Sequence, residues 1–249
     1  MKIWYEHPFG VVSTADMQIV KVFAQVDPEE QEQALTQGFI EKPYGVWQQV
    51  RSTRINIKKY IESAKRFSQR KDVTVSKWDG VFAQTNRNLL IDIYDEYINK
   101  KGYQDHFIFN NYEFTNKDVF YIYSHDDNVH AWSVWTKYGH SIENWQFAWD
   151  YIRPELKLGS FSIDHEIRQA HEKNYNYFYL SEGYDNSSAW KSEMPGFEWW
   201  TGSEWSKDPD RFAFLCDAED GAKELKDIMD VYENPCTREK FWNKKNINR

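Results

Sequence analysis

The chain has 249 residues and a net charge of -8, and 18% of its residues are aromatic, including 12 Trp. No apolar run approaches the roughly 20 residues of a membrane-spanning helix, and the N-terminal MKIWYEHPFG lacks the long apolar segment of a secretory signal. These features favour a cytoplasmic globular protein without a membrane partner, and the acidity argues against general DNA binding. The two cysteines, Cys216 and Cys236, cannot build a tetrahedral zinc site alone, and we expect no disulfide between them.

The first third of the chain predicts a small α/β subdomain, residues 1–84. Asp27 caps a helix that has Pro28 at its first position and ends at Gly38. Strand-like alternation of Val, Ile and Phe occurs in three segments, 17–26, 46–57 and 73–83. The pattern therefore predicts a helix and a small sheet.

Residues 85–249 predict a second domain that begins with a longer helix. This helix starts at Thr85 or Asn86, ends at Gly102 and places six apolar residues on one face: Leu89, Leu90, Ile93, Tyr94, Tyr97 and Ile98. Further elements are predicted in this order: strands 118–124, 129–137 and 145–151, a helix at 159–173, a strand at 176–180 and a helix at 219–232. Asp126-Asp127-Asn128 is a good turn between the first two strands.

The order β-β-β-α-β after a helix is that of the GNAT acyltransferase fold. The sequence therefore predicts an α+β protein with a GNAT-like acyltransferase domain and a small N-terminal α/β subdomain. Coenzyme A binding in that fold uses a Gly-rich turn whose amides hold a pyrophosphate at a helix N-terminus. Only Gly159 stands in the corresponding turn here, and a plain turn is the favoured interpretation.

A basic run between Arg51 and Lys71 stands out against the acidic average. Only Glu62 opposes eight basic residues: Arg51, Arg54, Lys58, Lys59, Lys65, Arg66, Arg70 and Lys71. Such a local excess can contact nucleic-acid phosphates whatever the charge of the whole chain. A solvated helix-and-loop face explains it equally well.

Several motifs, in the same order along the chain, resemble the bacterial arginyl- or leucyl-tRNA–protein transferases of the N-end rule pathway. They are His7-Pro8-Phe9, Asp27-Pro28 with Gly38-Phe39, Val50-Arg51-Ser52-Thr53-Arg54-Ile55, the run 63–72, Trp149-Asp150-Tyr151 with Leu158-Gly159, Tyr177-Phe178-Tyr179-Leu180, Gly183-Tyr184 and Trp190-Lys191. The resemblance implies transfer of an amino acid from charged tRNA to a protein or peptide N-terminus. It implies no cofactor, because aminoacyl-tRNA is itself the co-substrate.

The chain also departs from that family. The family's N-terminal cysteine cluster falls on His7, Tyr44, Trp47 and Val50, and Tyr, Trp and Val cannot replace thiolate ligands. We therefore expect the family's metal or iron–sulfur cluster to be absent. Ser187-Ser188 and Trp190 also replace family residues around the expected pocket, so the sequence leaves the transferred amino acid open.

The implied reaction is aminolysis of an aminoacyl ester, in which orientation and oxyanion stabilisation supply most of the acceleration. Lys191 is the first candidate to hold the terminal phosphate or the developing oxyanion. The alternative interpretation is a solvated lysine in a loop, without a functional role. Tyr179 and Tyr184 are candidate hydrogen-bond donors or proton relays, and Asp150 or Glu166 can anchor an amine. Trp149 and Trp190 belong to a tryptophan-rich region whose rings can stack an adenine or line an amino-acid pocket.

Two other functions stay open at this stage. One is an ordinary GNAT N-acetyltransferase that uses an acyl-CoA on a small amine. The other is a catalytically silent module that binds tRNA or peptide.

Overall fold

The computed structural model describes residues 1–6, 21–42, 45–63, 70, 72–102 and 113–220. Within these ranges the chain forms two compact units, residues 54–181 and residues 1–53 together with the segment that begins at Glu182. The sequence-based boundary after residue 84 therefore falls inside the unit 54–181. Several sequence-based features lie outside the described residues: His7, Tyr44, residues 64–69 with Arg66, Lys71, Cys236 and nearly all of the predicted helix 219–232.

The unit formed by residues 54–181 is built on a twisted sheet. Its strands are the end of β5 (Ser52–Asn56), β6 (Thr74–Asp79), β7 (Asp118–His125), β8 (Asn128–Tyr138), β9 (Ser141–Trp149) and most of β10 (Tyr177–Glu182), in the order β5-β10-β9-β8-β7-β6. Strands β6 to β9 pair antiparallel, whereas β10 runs parallel to β9. The predicted turn is present as a two-residue loop, in which Asp126 and Asp127 both have positive φ.

Helices cover both faces of this sheet. They are α2 (Ile57–Ser63), α3 (Gly80–Thr85), α4 (Arg87–Lys101) and α5 (Leu158–Glu172). Leu90, Ile93 and Ile98 of α4 lie in one buried cluster with Phe120, Trp132 and Val134 of the sheet. Leu89 is 39% exposed, so it does not belong to the buried face predicted for it.

The order and pairing of these elements confirm the predicted α+β, GNAT-like fold. Strands β7, β8 and β9 are followed by α5 and then by β10, in the order that the sequence predicts, and the structure adds that β10 pairs parallel to β9. The segment 73–83 differs from its prediction, because it is a strand only to Asp79. The Asp79 carboxylate accepts a hydrogen bond from the Phe82 amide at 2.7 Å and so caps α3.

The other unit contains a four-stranded antiparallel sheet in the order β1-β2-β4-β3. Its strands are β1 (Lys2–Glu6), β2 (Lys21–Gln25), β3 (Phe39–Lys42) and β4 (Val46–Gln49), and helix α1 (Gln31–Thr36) follows a 3-10 turn at Pro28–Glu30. Gly38 ends this helical region with φ +76°, as predicted. An added Cβ there would lie only 2.3 Å from the Trp200 ring, so both backbone and packing require glycine.

The C-terminal part of this unit carries the predicted Lys191 loop. It consists of a 3-10 helix (Asn186–Glu193), strands β11 (Phe197–Trp200) and β12 (Trp205–Ser206) and helix α6 (Pro209–Glu219). Asp208 caps α6 by accepting a hydrogen bond from the Arg211 amide at 3.0 Å. Among the described residues, none of the helices combines the length and apolarity needed to cross a membrane.

Candidate functional site

The parallel strands β9 and β10 separate after only three residue pairs. Tyr177–Tyr179 pair with Ser141–Glu143, although β9 continues to Trp149. The separation coincides with a β-bulge in β9, where Trp145 is the extra residue opposite the β8 pair Val134 and Trp135. Because ligands of open sheets bind outside the carboxyl ends of parallel strands, these strand ends are the candidate site.

The backbone changes direction where β10 ends. Ser181 has φ +57°, which is uncommon for a residue other than glycine. Residues in such conformations cost about 1–3 kcal/mol and cluster at functional sites. The turn leads directly into Glu182, Gly183 and Tyr184, the segment that contacts Lys191.

Lys191 is buried rather than solvated. Its side chain lies in the 3-10 helix 186–193 with 9% exposure, and Nζ donates a hydrogen bond of 2.6 Å to the carbonyl of Glu182. Burial lowers the pKa of Lys191 to about 8, against the opposing attraction of Glu182 and Asp185. An amine with this pKa changes its charge near neutral pH, a property that is enriched at functional sites.

Tyr184 and Arg51 lie in the same unit as Lys191. The Tyr184 hydroxyl accepts a hydrogen bond of 2.9 Å from the Arg51 amide, and burial raises the pKa of this phenol. The Arg51 guanidinium donates two bonds of 2.8 and 2.7 Å to the Glu219 carboxylate. Arg51 therefore holds helix α6 in place, and its predicted contact with phosphate does not fit this pairing.

Cys216 of α6 is within electrostatic reach of Lys191. The thiol is buried, and burial raises its pKa to about 12. Because the thiolate is the reactive form of cysteine, Cys216 is a packing residue in this arrangement.

Asp150, the predicted amine anchor, pairs with a histidine that sequence reasoning missed. Its Oδ2 lies 2.7 Å from Nδ1 of His130, and its Oδ1 accepts the Ile152 amide at 3.0 Å. The two side chains are 10% and 9% exposed. Twenty positions separate them in the sequence, with no motif between, so only the pairing of β8 with β9 brings them together.

Glu166, also predicted to bind substrate, lies at the centre of a closed hydrogen-bond network. It belongs to α5, and its side chain is fully buried between this helix and the sheet. Four groups donate to its two oxygens at 2.5 to 2.7 Å: the Tyr123 and Ser133 hydroxyls, the Trp135 indole and the Asn144 amide. Burial raises the pKa of Glu166, and the four donors oppose that shift. The predicted role as an amine anchor does not fit, because both oxygens are already occupied.

Tyr179 and Arg54 form a buried pair in the unit 54–181. Arg54 Nη1 donates a hydrogen bond of 3.2 Å to the Tyr179 hydroxyl, and its guanidinium lies 3.8 Å from the centre of the Tyr177 ring. Arg54 is only 6% exposed. This cation–π stacking occupies the side chain that was predicted to contact phosphate.

The rest of the basic run divides between surface and structural side chains. Lys58 and Lys59 are exposed on α2, and the ion pair that Lys58 makes within the described residues is a long one, 4.0 Å to Glu62. Arg70 instead donates to the Leu156 carbonyl at 2.7 Å and pairs with Asp72 at 2.8 Å. Its predicted phosphate contact does not fit, because it holds the loop that precedes α5. Arg66 lies outside the described residues.

Three further predicted binding residues have different surroundings. Gly159, predicted in a turn before the helix, is the second residue of α5, and an added Cβ there would meet only the Phe147 ring at 3.7 Å, so the position does not require glycine. Trp149 packs against Tyr151 with ring centres 3.9 Å apart. Trp190 is 45% exposed, which leaves its indole accessible to a partner.

Buried apolar side chains occupy the positions at which the arginyl- or leucyl-tRNA–protein transferases have their cysteine cluster. Trp47 and Val50 are 1% and 2% exposed, and neither offers a metal ligand. The described residues at this position therefore do not fit a cluster.

No protein-family model and no curated protein matches the chain. Similar solved structures include the C-terminal domain of a protein assigned as a lysylphosphatidylglycerol synthetase from Agrobacterium fabrum, with 8% sequence identity, a TM-score of 0.43 and coverage of 68% of this chain and 56% of that one. L-PGS from Bacillus licheniformis has 11% identity and a TM-score of 0.42, and the match covers 63% of this chain and 50% of that one. A GCN5-related N-acetyltransferase from Kribbella flavida has 13% identity and a TM-score of 0.41, and the match covers 67% of this chain and 56% of that one. The chain thus spans about half the length of each of these proteins. None of the three is an arginyl- or leucyl-tRNA–protein transferase.

Proposed function

We propose that this protein is an aminoacyl-tRNA-dependent transferase that moves an amino acid from charged tRNA to an amine, a protein or peptide N-terminus. The observation that carries the proposal is the buried Lys191, whose pKa of about 8 lies far below that of an ordinary lysine. The GNAT-like order of β9, α5 and β10 and the resemblance of Gly183-Tyr184 and Trp190-Lys191 to the transferase motifs support it.

The reaction needs little from the enzyme beyond placement and charge. The acceptor α-amine has a pKa of about 7.7–8.0, so a useful fraction is uncharged near neutral pH. Its nitrogen attacks the ester carbonyl carbon, the C–O bond to the tRNA 3′-oxygen breaks, and one amine proton is transferred to the departing 3′-oxygen, which leaves as a hydroxyl. Lys191 in its ammonium form stabilises the negative charge that develops on the carbonyl oxygen. Tyr184 and Tyr179 remain candidate hydrogen-bond donors or proton relays, and Asp150 remains a candidate anchor for the amine. The proposed reaction needs no metal or cofactor.

Binding of tRNA in this proposal uses the exposed face of α2. Lys58 and Lys59 project two charges from one helix and, unlike Arg51 and Arg54, are exposed. Trp190, with its accessible indole, is the residue we propose for stacking on a base or on the acceptor side chain.

The test compares acyl donors in one assay. The purified protein is incubated with labelled aminoacyl-tRNAs or labelled acetyl-CoA and a mixed peptide pool, and mass spectrometry follows the label. We expect label from aminoacyl-tRNA on peptide amines. Transfer from acetyl-CoA alone would instead identify a CoA-dependent acetyltransferase, and tRNA binding without any transfer would identify a silent binding module.

The assay is then repeated with Lys191→Met and a matched control. Lys191→Met keeps the length of the side chain and removes its charge, and we expect kcat/KM to fall by about 100-fold or more, as for loss of one oxyanion donor. The control is Lys42→Met, because Lys42 contacts the same residue, Glu182, but through its half-buried carboxylate at 2.9 Å. If both variants lose activity equally, Lys191 acts only by holding Glu182 in place.

A further inference from the structure

Strand β6 (Thr74–Asp79) forms one edge of the sheet in the unit 54–181. It pairs with β7 on one side, and within the described part of the chain no strand pairs with its other side. The backbone amides and carbonyls on that side make no hydrogen bond in the structure. Such an edge is a template for pairing with another extended chain.

The hydrogen bonds of β7 show which of its residues bond to β6. At the start of β7, the Lys137 amide of β8 donates to the Lys117 carbonyl at 3.3 Å. Bonded and non-bonded residue pairs alternate along an antiparallel ladder. Residues 119 and 121 of β7 therefore bond to β8, whereas residues 120 and 122 bond to β6.

The same alternation identifies the backbone groups on the free edge. Residues 120 and 122 pair with Trp78 and Ser76, so these two residues form the bonds from β6 to β7. The amides and carbonyls of Val75 and Lys77 consequently point away from β7. They are two residues apart, which is the spacing at which a neighbouring strand forms its hydrogen bonds.

One face of this edge is positively charged. Lys77 donates to Gln169 of α5, so its side chain lies on the α5 face of the sheet. Burial and the positive charges of Lys77 and Lys137 lower the pKa of Lys173 at the end of α5, and Glu172 opposes that shift. Three lysines thus outnumber one glutamate at this end of α5, and they attract a carboxylate on an added strand.

The opposite face of the edge is apolar. Trp78 lies on the other side of β6 from Lys77 and packs against the buried cluster under α4. The Phe82 ring stands edge-on to Trp78, with 5.1 Å between the ring centres. Phe82 and Val81 are 51% and 56% exposed, so they offer apolar contact area beside the strand.

We propose that the free edge of β6 binds an extended peptide segment of a partner protein, in which acidic and apolar residues alternate. The backbone groups of Val75 and Lys77 form the hydrogen bonds to this segment. Because successive side chains of a strand point to opposite faces, the segment places its carboxylates on the lysine face and its apolar groups beside Trp78 and Phe82. The proposed contact lies wholly within the unit 54–181 and is independent of the transfer reaction.

A second copy of this chain fits the edge less well. In a two-fold pairing of two β6 strands that uses both Val75 and Lys77, the two Lys77 side chains lie directly or diagonally opposite each other on one face. Like charges in such positions are destabilising, and lysine on an edge strand protects against self-pairing. An acidic segment meets the same lysine with the opposite charge.

The first experiment measures binding of a fluorescently labelled peptide of four Glu-Val repeats by anisotropy. We expect saturable binding, and a peptide of four Lys-Val repeats should bind at least about 10-fold more weakly, because its charges repel the lysine face. In NMR amide exchange, saturating Glu-Val peptide should slow the amides of Val75 and Lys77. The amides of Ser76 and Trp78, already bonded to β7, should change little. Absence of saturable binding, or unchanged exchange at Val75 and Lys77, would overturn the inference.

The second experiment repeats the binding assay with variants of the edge. Lys77→Glu should reverse the preference between the two peptides, and the matched control Lys101→Glu, an exposed lysine on α4, should keep it. Val75→Pro removes an outward amide but spares the ladder to β7, so the affinity for the Glu-Val peptide should fall by about 10-fold.

Two results of these measurements would contradict the proposal. The first is a Lys77→Glu protein that still prefers the Glu-Val peptide, which would exclude the lysine face as the contact; this variant decides the matter even if Val75→Pro does not fold. The second is a protein without peptide that dimerises in sedimentation and protects the Val75 and Lys77 amides as its concentration rises. The occupant of the edge would then be a second copy of the chain.

Discussion

Lys191 and Glu166 are both buried ionisable residues that the sequence predicts for the active site, the first as a catalytic and the second as a substrate-binding residue, and their surroundings differ sharply. Glu166 receives four hydrogen bonds, two on each carboxylate oxygen. Lys191 donates to a backbone carbonyl at a strained strand end and has a pKa of about 8. Burial alone thus does not identify a functional group.

The difference lies in how each charge is compensated. The Glu166 donors come from three neighbouring strands, and together they join α5 to the sheet. The pKa of Lys191 instead lies at about 8, close to neutral pH, because burial disfavours the ammonium form while Glu182 and Asp185 favour it. We therefore interpret Glu166 as a structural residue and Lys191 as a chemical one.

Removing the Glu166 carboxylate should produce the largest loss of stability. Glu166→Ala leaves four buried donors without an acceptor, and we expect the free energy of unfolding to fall by about 3–5 kcal/mol. Urea denaturation at constant pH measures this change in the free energy of unfolding. The control Glu172→Ala removes an exposed carboxylate from the same helix and should change stability by less than about 0.5 kcal/mol. A loss below about 1 kcal/mol for Glu166→Ala would mean that water replaces the carboxylate, and the comparison with Lys191 would fail.

The pH dependence of stability should reveal the lowered pKa of Lys191. A lysine whose pKa is about 8 in the folded state and 10.5 in the unfolded state binds fewer protons when folded, so stability rises with pH between these values. Relative to Lys191→Met, the wild-type protein should gain roughly 3 kcal/mol from pH 8 to 10.5, an order-of-magnitude figure. Parallel stability curves for the two proteins would show that Lys191 titrates as an ordinary lysine.

The surface lysines should matter for binding and hardly at all for folding. Lys58→Glu combined with Lys59→Glu should alter stability by no more than about 0.5 kcal/mol, because both side chains are exposed. The slope of log K against log salt for tRNA binding should fall by about 1 for each lost phosphate contact. An unchanged slope would show that tRNA, if bound, contacts another surface; Lys100→Glu combined with Lys101→Glu at the end of α4 is the matched control.

Much of the fold follows from local patterns in the sequence. Leu90, Ile93, Tyr94 and Ile98 recur at helical spacing and are the buried face of α4. The alternation in 118–124 and 129–137 and the Asp-rich turn between them gave β7 and β8 within a few residues. The Asp208-Pro209 cap of α6 carries the same signature as Asp27-Pro28, so this helix could have been predicted in the same way, but the sequence analysis missed it. The predicted helix 219–232 lies almost entirely outside the described residues and stays a prediction.

The site was less predictable because its residues are assembled by strand pairing. His130 and Asp150 meet only because β8 pairs with β9 and a bulge redirects the histidine. In the basic run, strand and loop packing engages side chains that the sequence predicts to be available for phosphate. Arg51 donates to Glu219, Arg54 to Tyr179 and Arg70 to the loop before α5. Charge counted along the chain does not reveal which cations are neutralised by residues distant in sequence.

The sequence by itself determined the order of elements and hence the α+β, GNAT-like fold, because hydrophobic periodicity and capping act over a few residues. It also placed Lys191 next to Trp190 in the segment after the last parallel strand. Only the tertiary structure decided that Lys191 is buried with a lowered pKa, that Glu166 is saturated by four donors, and that Asp150 has a histidine partner. These properties depend on desolvation and hydrogen bonding between residues far apart in the chain, which no local pattern records.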